Sequence, residues 1–140
     1  MLRSLFKNKN ENEIEIVYSP FVPEFISDFK QNISEKDRSV QSYRVLSQYS
    51  HKKFPIIIDR GNIQSPMIDK HKYIIDGEMR ISEIFCILRS KLNLASSDAI
   101  FIFIDNTIPR MTSTIKEIYN QKKDSDGFLY ITYSLENTFG

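Results

Sequence analysis

The feature that most constrains the fold is one amphipathic helix placed among several short β-rich runs. Its apolar residues recur at offsets of 3, 4, 7 and 11 from the first, on one helical face: Ile81, Ile84, Phe85, Leu88 and Leu92. An apolar helical face is buried by packing on another element, and the β-rich runs on either side of this helix supply one. The sequence therefore predicts a small mixed sheet wrapped around this helix, an α+β fold.

The remaining periodic segments give the order of elements. Two helices come first, and the second, over about residues 35–49, takes its apolar side from Val40, Tyr43, Leu46 and, less regularly, Val45. The β-rich runs are residues 54–58, 72–75, 99–104 and 128–133, and a short helix carrying Ile115, Ile118 and Tyr119 precedes the last run. The predicted order is α-α-β-β-α-β-α-β, with the last strand beside the first.

Two details of this order are specific enough to test. The run 99–104 is continuously apolar, which predicts a central strand covered on both faces. Thr112 or Ser113 is predicted to cap the short helix that follows, because hydroxyl side chains accept hydrogen bonds from the first free backbone N–H groups of a helix.

The N-terminal part differs in composition from the rest. Residues 1–24 are rich in Asn, Lys and Glu, and we expect a flexible extension there, followed by a helical subdomain over 25–49 and a main domain over 50–140. Phe25, Ile26, Phe29 and Ile33 fall on one helical face. That face either docks onto the domain or touches a membrane or partner.

Composition narrows the function. The 140 residues carry a net charge of +1 with no sustained basic stripe, which argues against nucleic-acid binding. No apolar run is long enough for a secretion signal or a membrane span, so a cytoplasmic protein is expected. The single cysteine, Cys86, excludes an internal disulfide and is expected to be a small buried hydrophobe. No metal, cofactor or enzymatic activity is predicted, because no phosphate-binding glycine loop, metal-ligand cluster or Cys/His pair is evident.

Gly140 follows the last β-rich run and a short tail. A terminal glycine has no Cβ, so its carboxylate can enter a narrow channel of another enzyme and be activated there. The alternative is a chain end without a role.

At this point several runs, in this order and with nearly this spacing, resemble the autophagy ubiquitin-like modifiers of the light-chain-three and GABA-receptor-associated-protein family. The runs are FPIIIDR at 54–60, IDKHKYII at 68–75, IFCILR at 84–89, DAIFIFIDNTIP at 98–109, FLYITYS at 128–134 and FG at 139–140. The resemblance covers about residues 29–140. It implies a ubiquitin-like β-grasp fold with two additional N-terminal helices.

The resemblance also implies conjugation. Gly140 would be activated with ATP, passed between cysteines of activating and conjugating enzymes, and joined to phosphatidylethanolamine on autophagosomal membranes. A cysteine protease would reverse the conjugation. The lipid then supplies a membrane affinity that the sequence itself lacks.

A second implied activity is the binding of autophagy receptors and adaptors through aromatic-x-x-aliphatic motifs that add a strand to a sheet edge. By resemblance, the aromatic pocket comprises Val45, Pro55, Ile57, Lys72, Ile74 and Phe128. The aliphatic pocket comprises Tyr73, Ile75, Met79, Ile84 and Ile87. Acidic residues flanking the motif would meet Lys70, Lys72 and Arg89. For the apolar members, above all Val45, Ile57 and Ile87, ordinary core packing is the alternative.

This chain departs from the family pattern at three positions near that groove. Asp76 stands where proline is frequent, Ile84 where phenylalanine is usual, and Gln41 where glutamate is frequent. The smaller Ile84 implies a wider aliphatic pocket. Two other functions share the fold: a modifier attached to a protein lysine, and an unconjugated binding module.

Overall fold

A computed structural model describes residues 27–135. Its elements are α1 (Asp28–Asn32), α2 (Glu35–Gln48), β1 (Lys53–Arg60), β2 (Lys72–Asp76), α3 (Ile81–Lys91), β3 (Phe101–Phe103), α4 (Ile115–Lys122) and β4 (Leu129–Ser134). The predicted order is confirmed. The predictions for the extension, for Phe25 and Ile26, and for Gly140 lie outside the described residues.

The four strands form one mixed sheet in the order β2-β1-β4-β3. β1 pairs in parallel with β4, which confirms the predicted neighbours, and β2 and β3 add antiparallel at the two edges. The prediction of a central strand over 99–104 is wrong, because β3 spans three residues at an edge. The run is continuously apolar because Ile102 and Phe103, which point to opposite faces, are both buried there.

The inner face of the sheet carries the apolar core. Alternate residues of β1 and β4 meet the buried faces of α3 and α4, in a cluster that includes Phe54, Ile56, Ile58, Leu129, Ile131 and Tyr133. The predicted α3 stripe is confirmed, since Ile81, Ile84 and Leu88 are fully buried and Phe85 and Leu92 pack against them. Each fully buried side chain of this stripe stabilises the fold by about 1.5–3 kcal/mol.

Two predictions on this side of the sheet are wrong. Cys86 is exposed, because it is two residues from both Ile84 and Leu88 and so points about 200° away from the buried stripe. The cap of α4 is Thr114, whose hydroxyl accepts the Glu117 N–H at 3.2 Å while the Glu117 carboxylate accepts the Thr114 N–H at 3.0 Å. The helix therefore starts later than Thr112 or Ser113 would require.

The outer face of the sheet is covered by α1 and α2. Phe29 of α1 packs edge-on against Phe128, with ring centroids 4.8 Å apart, so this part of the predicted apolar face docks onto the domain. The predicted apolar side of α2 is wrong for two residues, because Val40 is 41% exposed and Tyr43 is 70% exposed. Arg38 and Ser42 are buried instead, with Leu46 packed against the core.

Asp126 explains why a polar side of α2 is buried. Its fully buried carboxylate accepts hydrogen bonds from Arg38 Nε at 2.7 Å, from the Tyr130 hydroxyl at 2.6 Å and from the Phe128 N–H at 2.8 Å. Its backbone carbonyl accepts the Ser42 hydroxyl at 2.7 Å. Burial, and then the hydrogen bond to Asp126, raise the pKa of Tyr130, which keeps that hydroxyl a donor. Polar contacts therefore hold α2 in place.

The turn before β4 fits α2 closely. Gly127 has a φ of +89°, and a Cβ there would overlap Ser42 Oγ. A side chain at position 127 would strain the backbone and push α2 away. The close approach of α2 and the polar network around Asp126 therefore depend on this glycine.

Candidate functional groove at the edge strand

β2 is the edge strand of the sheet beside α2 and α3. One side of the strand pairs with β1 from Lys72 to Asp76, and within the described residues its other side pairs with no strand. An edge strand presents unpaired backbone N–H and C=O groups, which an extended peptide can complete by adding one more strand.

The residues predicted for the aromatic pocket lie on the outer side of β2. Pro55, Ile57 and Phe128 are buried and form its floor, while Val45 of α2 is half-buried above them. Ile74 is 47% exposed and Lys72 is exposed. The sheet and α2 therefore enclose this side, and Ile74 is the apolar member most open to a ligand.

The mouth of this outer side is crossed by a hydrogen bond. Lys72 Nζ donates to Gln41 Oε1 of α2 at 2.9 Å and lies 5.8 Å from the centre of the Phe29 ring. Gln41 is neutral, so the Lys72 charge is not cancelled and stays available to an acidic ligand. Phe29 was not among the predicted pocket residues, although its place on the first apolar stripe was a signal.

The residues predicted for the aliphatic pocket lie on the inner side of β2. Tyr73 and Ile75 are half-buried and pack against the core cluster, as does Met79. Ile84 is fully buried on α3, while Ile87, one turn of helix later, is 42% exposed. β2 and the exposed side of α3 therefore frame this second pocket, with Ile84 as part of its floor.

The two predicted pockets thus lie on opposite faces of one edge strand. Side chains alternate along a strand, so residues three apart point to opposite faces. A ligand strand added to β2 would place an aromatic residue on the outer side and the residue three positions later on the inner side. The aromatic-x-x-aliphatic spacing follows from this geometry.

Basic residues surround the inner side. Lys70 Nζ and Lys91 Nζ lie 5.6 Å and 5.9 Å from the centre of the Tyr73 ring. Within residues 27–135, neither they nor Lys72 form an ion pair with a carboxylate. Lys91 was missed by the sequence reasoning, although its position on α3 one turn after Ile87 was a signal.

Arg89 is placed differently from the two lysines. Its guanidinium donates to the carbonyls of Ala95 and Asp98, both at 2.7 Å, and so ties α3 to the loop before β3. Two of its N–H groups are therefore used within the fold, which weakens the predicted contact of Arg89 with an acidic flank.

Tyr73 carries an unusual hydroxyl. Its oxygen is buried and forms no hydrogen bond with the described residues. Burial, and then the nearby Asp69 charge, raise the pKa of Tyr73. A buried hydroxyl without a partner costs about 1–3 kcal/mol, so the aromatic ring rather than the hydroxyl accounts for the packing at this position.

A separate cavity of about 710 Å³ lies over the other half of the outer face. Two polar pairs lie in its lining: Lys30 Nζ donates to the Asp124 carboxylate at 2.8 Å, and His71 Nδ1 lies 2.6 Å from the Asp59 carboxylate. Burial alone would raise the pKa of Asp124, but the hydrogen bond from Lys30 helps to lower that pKa below its usual value. Among the described residues no three His, Cys, Asp or Glu side chains are grouped as metal ligands, and no helix is long and apolar enough to cross a membrane.

The family is decided by comparison with known proteins. The sequence profile described as "Autophagy protein Atg8 ubiquitin like" matches residues 37–140. The chain belongs to the Atg8 family. It is 38% identical over 115 residues to Autophagy-related protein 8 of Kluyveromyces lactis, covering 81% of this chain and 92% of the relative. It is 36% identical, over 81% of this chain and 96% of the relative, to Autophagy-related protein 8c of Arabidopsis thaliana.

Solved Atg8 structures share the fold. The Trypanosoma brucei ATG8 crystal structure superposes with a TM-score of 0.74 at 26% identity, covering 83% of this chain and all of that one. Plasmodium falciparum Atg8 in complex with a P. falciparum Atg3 peptide gives a TM-score of 0.72 at 27% identity, covering 80% and 98%. The predicted ubiquitin-like α+β fold and the predicted family of autophagy ubiquitin-like proteins are confirmed.

Proposed function

We propose that this Atg8-family protein is conjugated through Gly140 to phosphatidylethanolamine on autophagosomal membranes. There it recruits receptors and adaptors that carry aromatic-x-x-aliphatic motifs. The observation that carries the proposed motif binding is the edge strand β2, which has one set of predicted pocket residues on each of its faces. The proposed conjugation rests on membership of the Atg8 family. The unconjugated protein is cytoplasmic.

Motif binding follows from the groove. An incoming strand pairs with β2, its aromatic residue lies against Ile74 over the outer pocket, and its aliphatic residue lies against Ile75 and Ile87 on the inner side. Each anchor contributes about 1.5–3 kcal/mol when fully buried. Lys70 and Lys72 attract acidic residues beside the motif, which raises the association rate and fixes the register. Lys91 adds a third charge to this attraction.

The proposed conjugation uses the carboxylate of Gly140. Activation joins the Gly140 carboxylate to AMP with release of pyrophosphate from ATP, and a cysteine thiolate then displaces AMP to give a thioester. The amine of phosphatidylethanolamine attacks that carbonyl, forms an amide and expels the thiolate. Gly140 follows Ser134, the last residue of β4, by six positions in the sequence.

The proposed partners follow from these two activities. Activating and conjugating enzymes act on Gly140, and a cysteine protease hydrolyses the finished amide. The P. falciparum relative was solved with a peptide of Atg3, which supports a peptide-binding partner among the other autophagy proteins. Receptors and adaptors would compete for the same groove.

The test uses Gly140 in starved cells. Deletion of Gly140 removes the native acceptor carbonyl, and Gly140→Ala adds a methyl group at the reacting centre, where small misplacements cost large rate factors. We expect the deletion variant to bind a motif peptide as wild type does and to be absent from autophagosomal membranes. Ile63→Ala, a change at a side chain 59% exposed and outside the groove, is the matched control and should reach membranes normally.

Mass spectrometry of the conjugate separates the alternatives. A small lipid adduct on Gly140 supports the proposal, whereas a large adduct on a protein lysine would assign the other kind of modifier. A deletion variant recovered from membranes at the wild-type level would leave only an unconjugated binding module.

A further inference from the structure

A stretch before the described residues has the alternating pattern of a strand. Glu13 and Glu15 alternate with Ile14 and Ile16 over residues 13–16. Period-two alternation of polar and apolar residues is typical of a strand with one buried face.

We propose that residues 13–17 of the same molecule pair with the open edge of β2 and cover the groove when no motif is bound. The inference rests on the proposed use of this groove for peptides. It assigns the groove a first occupant, which any receptor or adaptor must displace.

The chain enters the described structure close enough for this contact. The Phe29 ring, two residues after the first described residue, lies 5.8 Å from Lys72 Nζ at the start of β2. Residues 18–27 can span up to about 33 Å when extended. β2 has five residues, which is about 17 Å of strand. Residues 13–17 can therefore lie along all of β2 without stretching the connection.

The charges of the two partners are complementary. Lys70, Lys72 and Lys91 surround β2, and within residues 27–135 no carboxylate pairs with them. An added strand runs about 4.8 Å from its neighbour, so side chains of Glu13 and Glu15 would come within reach of these ammonium groups. Ile14 and Ile16 would share one face of the added strand and cover exposed apolar surface such as that of Ile74.

The composition of residues 13–17 predicts a low affinity for the groove, so a receptor or adaptor motif can displace them. Residues 13–17 contain no aromatic residue and hence no complete aromatic-x-x-aliphatic motif. Tyr18 is followed three residues later by Phe21 rather than an aliphatic residue, and Pro20 between them has no N–H to donate. A short linker gives a millimolar effective concentration, so even a segment with millimolar intrinsic affinity would weaken external peptides about two- to fivefold.

The experiment compares full-length chains by calorimetry with a synthetic acidic peptide that carries a Trp-x-x-Leu core. Ile14→Gln with Ile16→Gln removes the apolar face of the segment and should tighten peptide binding about two- to fivefold. Leu2→Gln with Leu5→Gln makes the same chemical change elsewhere in the extension and should leave the dissociation constant unchanged. Equal affinity for all three chains overturns the proposal.

Hydrogen exchange at β2 tests the same contact without any peptide. Backbone amides of Lys72–Asp76 should exchange faster in the Ile14→Gln/Ile16→Gln chain than in the wild type, by the same factor at 10-fold different protein concentrations. A difference that vanishes on dilution would assign the occupant to a second copy and overturn the intramolecular contact. If the peptide binds none of the chains but the exchange difference persists, the proposed motif binding fails while the cover remains.

Discussion

The two faces of the sheet are held by different chemistry. On the inner face, Ile56 and Leu129 pack with α3 and α4 in an apolar core. On the outer face, α2 is fixed by Arg38 and Ser42, which converge on Asp126. Apolar burial stabilises wherever shapes fit, whereas a buried ion pair is costly to desolvate and holds only in one geometry. The outer layer thus places α2 accurately beside β2, where the two elements frame the outer pocket.

The strongest test of this comparison removes the outer anchor. Asp126→Ala leaves Arg38 buried without its carboxylate, which should lower the free energy of unfolding by about 3–5 kcal/mol. Lys122→Ala, which removes an exposed ion pair to Asp105, is the control and should cost less than about 1 kcal/mol. Urea unfolding measures both. Equal stability of the two variants would mean that Asp126 does not anchor α2.

A substitution that leaves a cavity in the core tests how the inner face of the sheet is stabilised. Ile56 is fully buried in the core, and Ile56→Ala should lower the free energy of unfolding by about 2–5 kcal/mol. Because Ile56 belongs to neither pocket, the folded fraction should bind a motif peptide with unchanged affinity. Ile63→Ala, at an exposed position, should change the unfolding free energy by less than about 0.5 kcal/mol. If the Ile56→Ala chain failed to bind the peptide at temperatures where it is folded, peptide binding would depend on the packing of the inner core.

Alkaline pH weakens the inner layer through its tyrosines. Burial raises the pKa of both Tyr119 and Tyr133 from 10.0 to about 12. The folded state holds these protons more tightly than the unfolded state, so their contribution is fully present below pH 10 and is lost as the pH rises through about 12. Unfolding free energies measured from pH 8 to pH 11.5 should fall above pH 10. A double Tyr119→Phe, Tyr133→Phe chain should show a shallower decline.

The smallest effect concerns the hydroxyl of Tyr73. Tyr73→Phe removes a buried oxygen that bonds to none of the described residues, so stability should stay equal or rise by up to about 1 kcal/mol. Tyr133→Phe is the contrast, because the Tyr133 hydroxyl donates to the Pro66 carbonyl and its loss should cost about 1 kcal/mol. A Tyr73→Phe chain that is clearly less stable would indicate a partner for that hydroxyl.

The sequence predicts the inner layer far better than the outer one. Ile81, Ile84 and Leu88 repeat with the helical period, so their burial and the order of elements follow from local pattern. The same rule fails for Val40 and Tyr43, which are exposed. The side of α2 that faces the sheet is set by a hydrogen bond between residues 88 positions apart, and no local pattern reports such a contact.

In the groove, too, the sequence predicts some features and not others. Resemblance to the family supplies the predicted residues, and alternation along β2 explains why Ile74 and Ile75 serve opposite faces. The sequence does not reveal that the Arg89 guanidinium is engaged by two carbonyls, because that depends on how α3 meets the loop before β3. The helical spacing places Lys91 on the same side of α3 as Ile87, but its 5.9 Å approach to the Tyr73 ring depends on how α3 meets the edge of β2.

The most direct test of the groove varies the spacing between the two anchor residues of a peptide ligand. Two synthetic acidic peptides of equal composition would carry Trp and Leu either three or two positions apart, and calorimetry would compare their affinities. A spacing of two places both anchors on one face of the added strand, so one pocket stays empty and affinity should fall about tenfold or more. Equal affinity of the two peptides would contradict a groove divided by β2.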